Sequence, residues 1–324
     1  MQFGDFAGNA AVKRQLTALV DAGRFPHALL LEGEVGSGRR TLAGIIARAA
    51  VCEGGTERPC GACDVCRKSA HPDIAVYGEE GGSLSVDTVR DLRAQAYVLP
   101  NEATYRVIIL QNAHTMTPQA QNALLKILEE PPARVIFILT CENRSQMLPT
   151  IRSRCVCLAM QPVAYEEAAS VLRARLPQAE EGALERAHSL FGGRIGQVIA
   201  GMRDGTLQQV LELTPAFVDA LVATDELPLV RLTARLEKDR TLTEGVLAGL
   251  QLVLRDALAL RVGATAMLST APDAALRLAS RLSGKQIAAL SRVIEDLQRA
   301  LERNMNNTLF LTHMSACLRQ AAGR

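Results

Sequence analysis

A four-residue apolar run, Ala28-Leu29-Leu30-Leu31, passes at once into Gly33-Glu34-Val35-Gly36-Ser37-Gly38-Arg39-Arg40-Thr41. A helical pattern then opens at about Arg40 and runs through Leu42, Ile45, Ile46 and Ala49. Strand, glycine turn and helix in that order have the spacing of a phosphate-binding loop. In such a loop backbone N–H groups and the helix N-terminus cradle phosphates, a lysine reaches the β- and γ-phosphates, and a hydroxyl holds Mg²⁺. Here Arg39 stands at the lysine position and Arg40 at the hydroxyl position. Arg39 can still neutralise phosphate charge, but a guanidinium cannot ligate a cation. Gly33, Gly36, Gly38, Arg39 and Thr41 are therefore candidate contacts of a degenerate phosphate loop, with nucleotide bound weakly or not at all. A glycine-rich turn with no ligand is the alternative reading.

The neighbouring segments fit an α/β architecture. Val107-Ile108-Ile109-Leu110 and Val135-Ile136-Phe137-Ile138-Leu139 are continuous apolar runs, the pattern of parallel strands covered on both faces. Between them Thr117 reads as an N-cap, Pro118 as the first helical residue, and Ala120, Ala123, Leu124, Ile127 and Leu128 as one face; Pro131-Pro132 ends the helix. At the end of Val107–Leu110 an ATPase of this class carries acidic residues that hold Mg²⁺ and position water, whereas this chain has Gln111 and Asn112. With the loop lysine, the hydroxyl and the acidic pair all missing, the site is expected not to hydrolyse ATP on its own.

After Pro162 the strand signal disappears. Ala164–Leu176 and Glu181–Phe191 read as amphipathic helices, and Gly192-Gly193 precedes a short helix from Ile195 to Met202. From about Thr206 the period is helical throughout, with Leu247, Leu250, Leu254 and Leu258, then Ile287, Leu290, Ile294, Leu297 and Leu301, recurring at three and four residues. Turns expected at Gly263 and Gly284 favour a compact bundle over a coiled-coil seam. The expected division is 1–160 for an α/β domain, 161–205 for a small helical domain and 206–324 for a helical bundle.

Four of the eight cysteines, Cys52, Cys60, Cys63 and Cys66, fall within fifteen residues. Four thiolates fill the tetrahedral shell of Zn²⁺ and leave no open position, so the module at about 52–66 reads as a structural zinc site, with reduced free thiols as the alternative. Cys52 would come from the end of the glycine-loop helix and the other three from the loop after it, with Pro59 and Gly61 allowing tight turns. His71 is a conceivable substitute ligand, although His71-Pro72-Asp73 reads better as the turn into a strand at Ile74–Tyr77. Cys141, Cys155, Cys157 and Cys317 lie in apolar stretches and read as small core residues.

Charge narrows the function classes. Lys plus Arg number 36 against 34 Asp plus Glu, a net charge of +2, so any contact with nucleic acid must come from a local patch or a partner. Arg67 and Lys68 beside the cysteines leave a zinc-dependent nucleic-acid-binding module as one reading, though aromatic residues are only 3% and give few stacking platforms. No apolar run approaches the roughly 20 residues that span a bilayer, and Met1–Gly8 has no basic and apolar leader, so a cytoplasmic protein without membrane contact is expected. Pro149-Thr150-Ile151-Arg152-Ser153-Arg154-Cys155 follows the last strong strand; taken alone, its arginines read as a solvated face or an ion pair.

The run from Val107 to Pro132, VIILQNAHTMTPQAQNALLKILEEPP, together with Ser153-Arg154-Cys155, resembles the bacterial clamp-loader subunits of the AAA+ superfamily. Phe6-Ala7-Gly8, Arg24-Phe25-Pro26-His27-Ala28, Val86-Asp87-Thr88-Val89-Arg90, the four-cysteine insert and Asn304-Met305-Asn306-Asn307 are similar as well. The resemblance is best over 1–160 and weakest after about 206. It implies a RecA-like parallel-sheet domain, a helical lid and an all-α collar in a hetero-oligomeric ring with gamma/tau and delta subunits, acting through the sliding clamp on primer-template DNA. The degenerate loop is more similar to the delta-prime branch, which does not hydrolyse ATP, than to the hydrolysing gamma/tau branch. The resemblance implies that Arg154 acts in trans as an arginine finger on ATP in an adjacent subunit. The family's lid arginine has no clear counterpart here, since Gly196 and Gln197 stand nearby and Arg194 is offset.

Overall fold

A computed structural model describes the chain except residues 22–24, 56, 69, 79–83, 238, 265–266, 302–306 and 324. Arg24 and Asn304–Asn306 of the resemblance lie outside the described residues. By packing, the chain divides into two compact units, residues 1–174 with 193–196 and residues 175–192 with 197–324.

The first unit is a parallel sheet sandwiched by helices. In chain order it holds α1 (Ala10–Asp21), β1 (Ala28–Glu32), α2 (Arg39–Val51), α3 (Asp64–Arg67), β2 (Ile74–Tyr77), α4 (Val86–Ala96), β3 (Arg106–Leu110), α5 (Pro118–Glu129), β4 (Val135–Cys141), α6 (Pro149–Arg152), β5 (Val156–Ala159) and α7 (Tyr165–Arg175), whose last residue opens the second unit. The strands lie in the order β2-β3-β4-β1-β5, and every pairing is parallel. The apolar runs form β1, β3 and β4, the three central strands, which are buried almost throughout.

Successive residues of these strands point to opposite faces, and the two faces have separate cores. Leu30, Ile108, Leu110, Phe137 and Leu139 pack with α4 and α5 through Leu92, Leu124 and Ile127. Leu29, Leu31, Val107, Ile109, Ile136 and Ile138 pack with α1 and α2 through Leu16, Leu42 and Ile46. A sheet covered on both faces needs near-continuous apolar strands, which is why these three are legible in the sequence. Of the four residues of the edge strand β5, only Leu158 is buried.

The second unit is all helical within its described residues: α8 (Glu181–Leu190), most of α9 (Ile195–Arg203), α10 (Thr206–Val222), α11 (Leu227–Ala234), α12 (Arg240–Arg261), α13 (Pro272–Arg281), α14 (Gly284–Leu301) and α15 (Asn307–Ala321). Leu247, Leu250 and Leu254 of α12 are buried, as are Ile287, Leu290, Ile294, Leu297 and Leu301 of α14, and α12 packs against α10, α13 and α14. The turn at Gly263 is present with a positive φ of 83°, but Gly284 opens α14 instead of breaking the chain. Asp256, buried on α12, accepts the backbone N–H groups of Leu268 and Ser269 and so fixes the connection to α13. Among the described residues no helix is long and apolar enough to cross a membrane.

Candidate functional site

The glycine loop sits at the carboxyl end of β1, between β4 and β5, where open α/β sheets bind their ligands. Gly38, with φ 92°, is the residue before α2; a Cβ there would lie 2.9 Å from the buried Phe6 ring, so both backbone and packing demand glycine. The loop is tied to its own unit. The Gly196 N–H donates to the Gly36 carbonyl at 2.9 Å, and the Arg194 guanidinium pairs with Glu34 at 2.9 Å. Gly196 thus meets the loop through backbone, while Gln197 is buried with no partner for its side-chain carbonyl among the described residues.

Arg39 does not extend to solvent. It is 6% exposed; one Nη donates to the Gly33 carbonyl at 2.6 Å and the other lies 3.5 Å from the Glu142 carboxylate. Burial pulls its pKa down and Glu142 pulls it back up. Glu142 also lies 3.8 Å from Nε2 of His114, whose pKa burial lowers, with Glu142 opposing that shift and Arg39 adding to it. Gln111 and Asn112 follow β3 as the sequence places them, with the Asn112 N–H donating to Thr140 Oγ1 at 3.0 Å and Asn112 itself at φ 52°. Thr41 is exposed in the first turn of α2. Within the loop, Arg39 folds back on the Gly33 carbonyl, Gly36 bonds Gly196, Gly38 packs against Phe6, and Thr41 is exposed.

The four cluster cysteines come together. Their Sγ atoms all lie within 4.8 Å of one another, with 3.9 Å between Cys52 and Cys63 and 4.0 Å between Cys60 and Cys66. Four sulfurs about 2.3 Å from one zinc would stand about 3.8 Å apart, so the set fits that ion. Cys52 caps α2, and Cys60 and Cys63 lie in the loop after it, as expected; Cys63 is the N-cap of the short α3, and Cys66 departs from the expectation by lying within that helix. Backbone N–H groups point at the sulfurs, from Gly54 and Cys60 to Cys52, from Cys63 to Cys60 and from Cys66 to Cys63, at 3.3–3.4 Å. The Ala62 and Cys63 N–H groups bring the Cys60 thiol down to about 6, whereas burial pushes Cys66 up to about 12. Gly54 leaves room for the cluster, since a Cβ there would lie 2.7 Å from Cys60 Sγ, and Arg58 braces the loop through the Gly54 and Gly55 carbonyls. His71 stays outside; its Nδ1 accepts the Asp73 N–H and the ring is buried ahead of β2. Beside the cluster, Lys68 is paired with Glu102 at 3.0 Å.

The remaining cysteines divide. Cys141 is fully buried, and burial pushes it and Cys155 up to about 12, consistent with inert core thiols. Cys157 is half-buried on the edge strand and is also raised by burial. Cys317 is not a core residue; it lies part-exposed on α15 with its sulfur 3.5 Å from Nε2 of His313.

The arginine turn is set by α5. The side chain of Gln121, 3% exposed, donates to the Met116 and Gln146 carbonyls and accepts the Leu148 N–H at 2.8 Å, fixing the segment that enters α6. Ile151 of α6 is fully buried, and the Ser153 and Arg154 N–H groups close the turn onto the Pro149 and Ile151 carbonyls. Arg154 is thereby presented at the surface, a third exposed. It pairs with Glu129 at 2.7 Å and donates to the Thr150 carbonyl at 2.9 Å.

The sequence profile of the family described as "DNA polymerase III, delta subunit" matches residues 8–164. The gamma/tau subunit of DNA polymerase III from Mycobacterium tuberculosis is 41% identical over 157 residues, covering 47% of this chain and 27% of that protein. The delta-prime subunit from Yersinia pestis is 38% identical over 148 residues, 44% of each. Over residues 8–164 the chain is similar to the clamp-loader subunits of the AAA+ proteins. The chain spans less than half the length of these relatives. A solved gamma subunit-related protein of Thermotoga maritima superposes with a TM-score of 0.43 at 20% identity, over 95% of this chain and 99% of that one.

Several residues at these places carry no mark in the sequence. Glu142, His114, Gln121 and Glu129 are polar residues with no local spacing to mark them, and their roles depend on contacts across the sheet end. Gln121 alone carried a signal, as an amide between the apolar positions Ala120 and Leu124 of an otherwise clean helical face.

Proposed function

We propose that this chain is a delta-prime-type subunit of a DNA polymerase III clamp loader, one that does not hydrolyse ATP and supplies Arg154 to ATP held by a neighbouring gamma/tau subunit. The observation that carries the reading is the state of the loop. The cation standing for the phosphate-binding lysine is Arg39, and its guanidinium is engaged by the Gly33 carbonyl and Glu142. The next residue, Arg40, offers no hydroxyl to Mg²⁺, and Gln111 and Asn112 offer neither a metal carboxylate nor a base. Similarity to both gamma/tau and delta-prime proteins supports the clamp-loader part, and these residues support the delta-prime part.

On this reading residues 1–160 are the AAA+ domain, 161–205 the lid and 206–324 the collar that joins gamma/tau and delta subunits in a hetero-oligomeric ring. The ring opens the sliding clamp and places it on primed DNA, in the cytoplasm. Cys52, Cys60, Cys63 and Cys66 hold a structural zinc, which clamps the end of α2 to α3 and leaves no open coordination position for catalysis. This subunit's contribution to chemistry is electrostatic. A guanidinium held at the surface meets charge developing on a phosphoryl group across the interface, an effect worth roughly 10³–10⁵ in rate in well-studied systems.

A second reading, a hydrolysing gamma/tau-type subunit, is favoured by the 41% identity to the M. tuberculosis gamma/tau protein. Reconstitution with gamma/tau and delta subunits tests the first. Arg154→Ala is expected to leave ring assembly intact while lowering DNA-stimulated ATP turnover at least tenfold; unchanged turnover removes Arg154 from the mechanism.

A further inference from the structure

Glu129 is the last residue of α5, and Glu130 and the Pro131-Pro132 stop follow it. Two carboxylates at a helix C-terminus face the negative end of the macrodipole, an arrangement that is locally unfavourable unless a cation relieves it. The cation is Arg154, whose Nη2 lies 2.7 Å from Glu129 Oε1 while Nη1 bonds the Thr150 carbonyl and, at 3.4 Å, Ser153 Oγ. The pairing is selective. Arg152, two residues earlier, makes no ion pair among the described residues, and its Nε is buried without a partner. Lys126, one turn earlier on α5, is exposed.

We propose that Glu129 is a positioning residue that holds Arg154 in a resting pose, and that Arg154 engages a neighbour's γ-phosphate by exchanging this carboxylate for it. The inference rests on the proposed trans role of Arg154. Glu129 is 45% exposed and Arg154 33%. An ion pair open to water to this degree is weak enough to exchange, and a multiply charged phosphate is the stronger acceptor for a guanidinium. Glu129 therefore acts in two ways: it keeps the arginine ordered over the turn when no neighbour is present, and it competes with the phosphate when one is.

The test measures kcat and KM for ATP in the reconstituted complex with DNA, for Glu129→Gln, Glu129→Ala, Glu129→Asp, Arg154→Ala and the Glu129→Gln/Arg154→Ala double variant. Removing the competing charge is expected to raise kcat/KM about two- to fivefold, the equilibrium factor of a partly exposed ion pair. Glu129→Asp is expected to stay near wild type, and the double variant to be no faster than Arg154→Ala alone. Unchanged or lowered kcat/KM in both charge-removing variants, or an equal rise in the Arg154→Ala background, overturns the resting pose. No effect of Arg154→Ala itself overturns the trans role, a separate failure read from a separate variant.

Discussion

The carboxylate of Asp73, fully buried ahead of β2, accepts the backbone N–H groups of Asn101, Glu102 and Ala103 at 2.6–2.9 Å. Burial opposes its ionisation, but those three donors and His71 outweigh burial and hold the pKa below the ordinary carboxylate value. A depressed carboxylate contributes stability that is fully present above the unfolded pKa, about 3.9, and is lost as pH falls through the folded value. Asp73→Asn is therefore expected to destabilise the protein by about 1–3 kcal/mol at pH 7, with the difference from wild type shrinking below about pH 4. Chemical denaturation at a series of pH values checks it; a difference that does not change with pH contradicts the assignment. At the same scale Arg39 and Arg154 show how one residue type takes two roles. The first is buried against its own loop carbonyl, and the second is a third exposed and paired with Glu129.

At the scale of elements, two short helices carry the site, and the sequence marked neither as a helix. The cysteine spacing pointed to four converging thiols, because metal ligation imposes close spacing along the chain as well as in space. It did not show that α3 presents two of them, since a four-residue helix has no periodicity to read. Cys63→Ser is expected to lose a stoichiometric metal, about one zinc per wild-type chain, and to lower the melting temperature of the first unit. Metal analysis of the native protein decides it, and a metal-free chain of unchanged stability returns those thiols to ordinary cysteines. The α6 turn depends on Gln121, whose three bonds cross between segments that the sequence separates by up to 27 residues. Gln121→Leu is expected to cost about 2–3 kcal/mol by leaving the Leu148 N–H unpaired, and to weaken the effect of Arg154 in the complex. The central strands and the long helices of the second unit are legible because each buries a continuous run or a 3–4 stripe. The two edge strands bury little, one residue of four in β5 and none in β2.

For the whole molecule, the near-neutral charge and the sparse aromatic residues speak against a chain that grips nucleic acid by itself, and Lys68 beside the cysteines is already paired. The family profile matches residues 8–164, and the helical second unit is marked in the sequence by its hydrophobic period. The account of the protein as a subunit that holds the fold of an ATPase without running its reaction is tested most directly by steady-state ATP hydrolysis of the purified chain alone with Mg²⁺. No turnover above a buffer blank is expected, with turnover appearing once gamma/tau subunits are added. Sustained hydrolysis by the lone chain would contradict it.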